Sequence, residues 1–417
     1  MPVIDICIYL GQNPPVKLLS YRLPEIPEGY DFDVCTAEAL VTRTTATNGQ
    51  LTLPDGMSYR ILVIQRNNDM PLHVLRHIAK LVKGGVTVCG ARPEGSGSLK
   101  DAAEVKEYQA LVAELWGTDD SASGIRTIGK GKLYSGLSLP EVLVCEGIHP
   151  DITIKSGNTI KDKVYFTHRR LSDADVYFLN NHSERTFNDT IRLRTEARYA
   201  EYWDAVTGSR FALPLEASGN TGMLLKFVLA PRESGFIVTS DHPNTDLLPR
   251  IANIKEDITS IDGSWNVYFD PKCGGPGEIM FDELIDWTKH MDPAIRFYSG
   301  TAVYQKELSV SNLKKNERIL LRFPRLGSLA RIWVNEKEVA TVWCSPWEAD
   351  ITECVNEGIN SLKIEVVNSL MNRIIGDASL PQEKRYTYAY PEIATPDDKL
   401  VSSGIIEEVL LVKQIFR

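Results

Sequence analysis

Long apolar runs, a surplus of basic residues and paired cysteines are all missing from these 417 residues. No apolar stretch approaches the roughly 20 residues that a membrane helix needs, so no membrane span is expected. Lysine and arginine number 46 against 55 aspartates and glutamates, and the net charge of −9 lacks the basic stripe that a nucleic-acid surface requires. The seven cysteines, at 7, 35, 89, 145, 273, 344 and 354, include no CxxC pair, so they read as buried free thiols rather than a disulfide framework. The seven histidines are dispersed as well; no metal cluster is visible, and no cofactor is expected. Met1-Pro2-Val3-Ile4-Asp5 carries neither a basic region nor a cleavage site, so no export signal is read and the localisation stays open.

What is present is the composition of an ordinary globular chain, long enough for two or three domains. Residues 1–150 alternate strands and helices. Ile4 to Leu10, Tyr59 to Gln65 and Val86 to Cys89 are short apolar runs that read as buried parallel strands. Pro71 to Val82 and Lys100 to Trp116 carry helical spacing, and Gly84-Gly85 closes the first. This pattern predicts a flavodoxin-like or amidotransferase-like α/β domain, with Thr118 to Lys132 as a surface loop and a short helix at Leu139 to Cys145. A ligand of such a sheet sits beyond the carboxyl ends of its strands. The loops there are Gln65 to Asp69 and the glycine-rich Gly90 to Ser98, which matches neither GxxxxGK[ST] nor GxGxxG. Cys89 ends a strand, yet no histidine follows in an order that would make a Cys–His pair, so it reads as packing.

The periodicity changes at His149-Pro150. Residues 151–246 read as an antiparallel β-sandwich, with a hairpin of Val164 to Arg170 and Asp175 to Asn181 and a corner at Tyr202 to Gly208. Residues 247–417 form closely spaced strands that predict a galactose-binding-like jelly roll. Phe281 to Trp287 reads as one or two helical turns within it. Its clearest pattern runs from Arg331 to Asn368: Arg331 to Asn335 and Val339 to Trp343 alternate as a hairpin, Ser345-Pro346-Trp347 interrupts the ladder, and Ser361 to Asn368 is a long strand over a core. Trp333, Trp343 and Trp347 fall close together; they either fill the sandwich or offer flat rings on which sugar C–H faces stack. The expected fold class is therefore multidomain, α/β plus all-β.

A glycosidase needs two carboxylates about the scissile bond, and the acids here offer no such pair by spacing. Asp282, Glu283 and Asp286 make an acidic cluster before Trp287 that reads as a solvated face. His290, Asp292, Arg296 and Tyr298 form a denser polar group, suited to a sugar hydroxyl or to a neighbouring domain. His168 and Arg170 share one face of a strand, as a salt-bridged sheet surface or as paired donors. Asn372 to Asp377 reads as a loop capping the sandwich, with Arg373 and Asp377 paired. The candidate carbohydrate-binding or interdomain residues are thus Trp287, His290, Asp292, Arg296, Tyr298, Trp343, Trp347, Asn372, Arg373, Asp377, His168 and Arg170. No catalytic residue and no metal ligand is among them.

Several of these stretches resemble the C-terminal half of the large bacterial α-L-rhamnosidases of glycoside hydrolase family 106. They are Leu53 to Arg60, the hairpin from His168 to Asn180, Tyr202 to Gly208, Trp287 to His290 leading to Tyr298 to Tyr304, and Asn368 to Asp377. The last domain is also similar to the sugar-binding module of glycoside hydrolase family 2. The resemblance implies that a (β/α)₈ barrel carries the catalytic carboxylates and a calcium site, and that full-length members are exported to the periplasm or beyond. With the barrel absent, the chain is expected to be the accessory part of such an enzyme, partnered by that barrel or by a plant-type oligosaccharide, and inactive alone. The alternatives are a stand-alone carbohydrate-binding or scaffolding protein, and a hydrolase or amidotransferase acting through the first domain.

Overall fold

The computed structural model describes residues 1–11, 23–65, 69–118, 124–156, 164–217, 222–244, 247–249, 255–314, 317–387 and 393–415. Arg66 to Asn68 of the first loop named above lie outside the described residues. The chain divides into two compact units, Met1–Leu229 with Ser234–Arg250, and Ile251–Arg417 with Ala230–Glu233.

The first unit opens with a six-stranded sheet in the spatial order Phe32–Cys35, Ile6–Tyr9, Ile61–Ile64, Thr87–Gly90, Gly131–Ser135 and Gly124–Ile128. The first five strands run parallel, as expected of apolar runs joined through helices. Because side chains alternate across a strand, consecutive residues feed two cores. Cys7, Tyr9, Leu62, Ile64 and Val88 meet the helices Leu72–Lys83 and Val105–Trp116 on one face. Ile6, Ile8, Ile61, Val63 and Cys89 meet the helix Leu139–Cys145 on the other. The stretch expected to be a surface loop contributes instead the antiparallel edge strand Gly124–Ile128 and the start of Gly131–Ser135. Three consecutive residues, Ile125 to Thr127, are exposed on this edge, and that is why no one-sided period announced it.

The same unit continues as two further sheets, one antiparallel and one antiparallel except for the parallel pair of Arg210–Ala212 with Leu248–Pro249. One contains Ile152–Ile154, Phe187–Leu193 and Met223–Leu229; the other contains Val164–Arg170, Ala174–Asn181, Ser234–Ser240 and Tyr199–Trp203. Met223, Leu225, Phe227 and Leu229 all point inward, the period-two signature of a sheet with one face on a core. The predicted hairpin forms in register, with His168 opposite Tyr177 and Arg170 opposite Asp175.

The second unit packs a four-stranded sheet and a six-stranded sheet around one core that includes Trp265, Phe269, Trp287, Tyr298 and Tyr304. The long strands Thr301–Val310 and Gly358–Val367 pair along their whole length. Leu329–Val334 and Lys337–Val342 form the predicted hairpin, turned by Asn335 and Glu336, both at positive φ (51° and 66°). Two local expectations fail. Phe281 ends the strand Gly277–Phe281, and the turn that follows is a 3₁₀ segment, Trp287–Lys289, begun by the Asp286 side chain accepting from the Thr288 N–H. Asn372 to Asp377 is no loop but part of the helix Met371–Ala378.

Candidate functional site

In the second unit, the helix Met371–Ala378 carries three of the expected polar residues, Asn372, Arg373 and Asp377. Asn372 is fully buried: its Nδ2 donates to the Val401 carbonyl (2.7 Å) and to Ser403 Oγ (3.1 Å), and its Oδ1 accepts from the Val401 N–H (2.7 Å). With every group satisfied, Asn372 ties the helix to the 401–403 segment. Gly376 lies in mid-helix because the Phe297 ring packs on it; a Cβ there would sit 2.7 Å from Phe297 Cγ.

Arg373 and Asp377 are buried too, but they are not satisfied. The nearest approach of the guanidinium to Asp377 is 3.9 Å, from Nη1 to Oδ1, beyond hydrogen-bond length. Asp377 Oδ2 accepts from the backbone N–H groups of Tyr386 (3.0 Å) and Thr387 (2.8 Å) and from the Thr387 hydroxyl (2.7 Å). Asp377 Oδ1, Arg373 Nε and Arg373 Nη2 are buried with no hydrogen-bond partner. The Tyr386 ring lies over the guanidinium at 4.7 Å. Gly274 makes room for this stack, since a Cβ there would meet Tyr386 at 2.9 Å and Arg373 Nη2 at 3.2 Å. Burial pulls the Arg373 pKa below its ordinary value, and Asp377 offsets that only in part.

The other residues named from sequence in this region differ in burial and contacts. Trp287 and Tyr298, expected at a sugar or domain contact, have no exposed surface and belong to the core. Trp287 Nε1 donates to the Tyr304 hydroxyl (2.6 Å); Tyr298 accepts from the Asp270 N–H and donates to the Thr301 carbonyl. His290 stacks on Phe281 and accepts from the Asp292 N–H, and Asp292 caps the turn Pro293–Arg296. Arg296 lies over the Phe297 ring at 4.8 Å. Trp343 is 60% exposed, whereas Trp347 is half-buried against the core and Trp333 is covered by Lys363, whose Nζ lies 3.8 Å from its ring centre.

An open cavity of 570 Å³ elsewhere in this unit escaped the sequence reading. Asp262, Asp282, Glu283, Glu407 and Glu408 line it beside Trp265 and Leu284. Pairing of Lys255–Ser260 with Leu410–Ile415 brings residues about 150 positions apart to one rim, and the Ser260 hydroxyl donates to Glu408. Among the described residues, no group of three or more His, Cys, Asp or Glu is arranged to hold a metal ion.

In the first unit, His168 is buried with a carboxylate on each ring nitrogen: Asp151 Oδ1 lies 3.0 Å from Nδ1 and Asp175 Oδ1 lies 3.1 Å from Nε2. Burial alone would lower its pKa, but the two carboxylates outweigh burial and raise it. Asp175 would be raised by burial, yet hydrogen bonds from His168 and Arg170 bring it down to about 2. Arg194 extends the network, reaching Asp151 and Asp5 at 2.7 Å each, and Tyr177 stacks on the imidazole at 4.0 Å. This ionic lattice joins the Asp5 end of the α/β layer to the sandwich. Cys89 is also buried, which pushes its thiol up to about 11, away from a nucleophilic thiolate.

Comparison with known proteins places this architecture. The family model for α-L-rhamnosidase of glycoside hydrolase family 106 matches residues 1–215, about half of the chain. The chain belongs to that family. A second family model, the sugar-binding domain of family 2 glycosyl hydrolases, matches residues 256–415. The rhamnosidase of Novosphingobium sp. PP1Y is similar in structure over 99% of this chain, with 28% identity and a TM-score of 0.74. A protein of Formosa agariphila described as a putative beta-glucuronidase is 34% identical over 143 residues, 34% of this chain. The chain spans 39% of the length of the Novosphingobium enzyme and 12% of the Formosa protein.

Proposed function

We propose that this member of the rhamnosidase family is the accessory part of a larger glycoside hydrolase. Its flavodoxin-like layer and β-sandwich support a catalytic barrel, and its galactose-binding-like jelly roll helps to hold a plant-type glycan. The observation that carries this reading is the span of the match: nearly all of this chain corresponds to 39% of a rhamnosidase. The sequestered charges around His168 supply further support, because they are spent on structure. His168, Asp151, Asp175 and Arg194 satisfy one another.

The test is hydrolysis of p-nitrophenyl α-L-rhamnopyranoside by the purified chain. No release of nitrophenol above the blank is expected; turnover that survives repurification and follows the protein peak would refute the accessory reading. A second reading, a stand-alone carbohydrate-binding protein, is favoured by the exposed ring of Trp343. Glycan-array binding by the isolated chain that disappears in Trp343→Ala is the result that would choose it.

A further inference from the structure

Buried polar groups are nearly always hydrogen-bonded, so a cluster that is not calls for a missing partner. At Arg373 and Asp377 the unmet groups are complementary and belong to one buried ion pair, closest at 3.9 Å between Nη1 and Oδ1. Nε and Nη2 form one edge of the guanidinium fork, two parallel donors without an acceptor. Asp377 Oδ1, an acceptor without a donor, stands 3.9 Å from Nη1 of the same group. Whatever completes this pair must both accept and donate. A simple anion would satisfy the arginine while facing the aspartate charge; a cation would do the reverse. Neutral hydroxyls do both at once, one oxygen accepting from the fork while a neighbouring O–H donates to the carboxylate.

We infer that Arg373 and Asp377, beneath Tyr386, form a recognition site for a vicinal diol of a sugar. The inference rests on the carbohydrate reading given above and assigns it a place. Tyr386 supplies the remaining element: its residue is 57% exposed while its ring covers the guanidinium at 4.7 Å. Turning that side chain about its Cα–Cβ bond uncovers the fork and leaves an aromatic wall for the sugar's C–H face. The backbone beneath stays fixed, because the Tyr386 and Thr387 N–H groups remain bonded to Asp377 Oδ2. Gly274 keeps the loop opposite from crowding the opening.

The experiment is saturation-transfer NMR and calorimetry on the whole chain with methyl α-L-rhamnopyranoside. Its 2,3-O-isopropylidene derivative, in which the diol is blocked, is the comparison ligand. The free glycoside should bind in the millimolar range, at least tenfold more tightly than the blocked one. Asp377→Asn should weaken binding at least tenfold, and Tyr386→Ala about fivefold, with Ile359→Ala, an exposed site, as control. Should Asp377→Asn unfold early, the surface variant Tyr386→Ala carries the test. Binding that ignores both variants but falls in Trp343→Ala overturns the inference and leaves the carbohydrate reading standing. Failure to bind the glycoside or any glycan on an array overturns both. A crystal soaked in the sugar that shows a lone water bridging Arg373 and Asp377 also overturns it.

Discussion

Replacing His168 by glutamine removes the one cation that touches both Asp151 and Asp175. Both ring nitrogens face carboxylate oxygens at hydrogen-bond distance, so the geometry requires the imidazolium, with a proton on each nitrogen. Breaking a buried ion pair by removing one partner costs about 3–5 kcal/mol. The lower end applies here, because Arg194 still holds Asp151 and Arg170 still holds Asp175. About 3 kcal/mol in a domain of this size is a fall of roughly 6–12 °C in the transition of the first unit. The pH profile provides an independent check. The folded pKa of His168 is raised, so its stabilisation is complete below an unfolded value of about 6.5 and is lost as pH climbs through the folded value. Asp175 behaves oppositely. Its fall from 3.8 to about 2 is present above the unfolded value and lost as pH drops through the folded one, and amounts to roughly 2 kcal/mol. Urea denaturation from pH 3 to pH 9 should therefore show a plateau between about pH 4 and 6.5 and an alkaline decline. His168→Gln should lower the plateau and remove that decline. Arg170, Arg194 and Tyr177 also surround the ring, and arginine and tyrosine ordinarily titrate above pH 9, so the alkaline limb is assigned to His168. A variant within 0.5 kcal/mol of wild type, with the same alkaline limb, would refute the imidazolium assignment.

Gly274→Ala places a Cβ at φ 78°, against Tyr386 and Arg373, and should cost about 1–3 kcal/mol in thermal or urea unfolding. Trp287→Ala should cost about 3–5 kcal/mol, because it empties a fully buried site and removes one donor from the Tyr304 hydroxyl, whereas Trp343→Ala should change unfolding by less than about 0.5 kcal/mol. Dithionitrobenzoate at pH 8 should label exposed Cys145 quickly in the native chain and reach buried Cys7 and Cys89 only on unfolding, with the labelled peptides read by mass spectrometry.

The parts of this fold that were legible are those where one local rule governs several residues in a row. Two β-rich runs about a polar turn marked the hairpin of Val164 to Arg170 and Ala174 to Asn181, but not that His168, read as a sheet-surface residue, points inward. Continuous apolar runs marked the three central parallel strands because both faces of that sheet are covered, whereas Phe32–Cys35 and Gly131–Ser135 were not marked. The helix Met371–Ala378 was illegible for a contrary reason: it has a central glycine, and Leu370 at its start makes no side-chain cap. It forms because Phe297 packs on Gly376 and Val401 and Ser403 hold Asn372, contacts supplied from far along the chain. Trp287 and Tyr298 were read as carbohydrate-binding or interdomain residues because the segment around them has no period to show which way they point. Asp286 then turns the chain so that both rings enter the core.

Charged partners were the least legible, since a sequence displays ions but not their pairings. Arg194 meets Asp5 across 189 positions and Asp151 across 43. The structure also separates two kinds of buried ion that composition cannot distinguish. His168 has every nitrogen matched, so its contribution is structural and should appear as stability. Arg373 keeps two nitrogens unmatched beside an unmatched carboxylate oxygen. Burying a guanidinium is costly whether or not it is paired, and the cost is recovered only when its hydrogen bonds are made. A fold that completes one such lattice and leaves the other incomplete directs the search for a ligand to the second. The two variants should therefore part in their readouts: His168→Gln lowers stability and leaves sugar binding intact, whereas Tyr386→Ala lowers sugar binding and leaves the pH profile of the first unit intact.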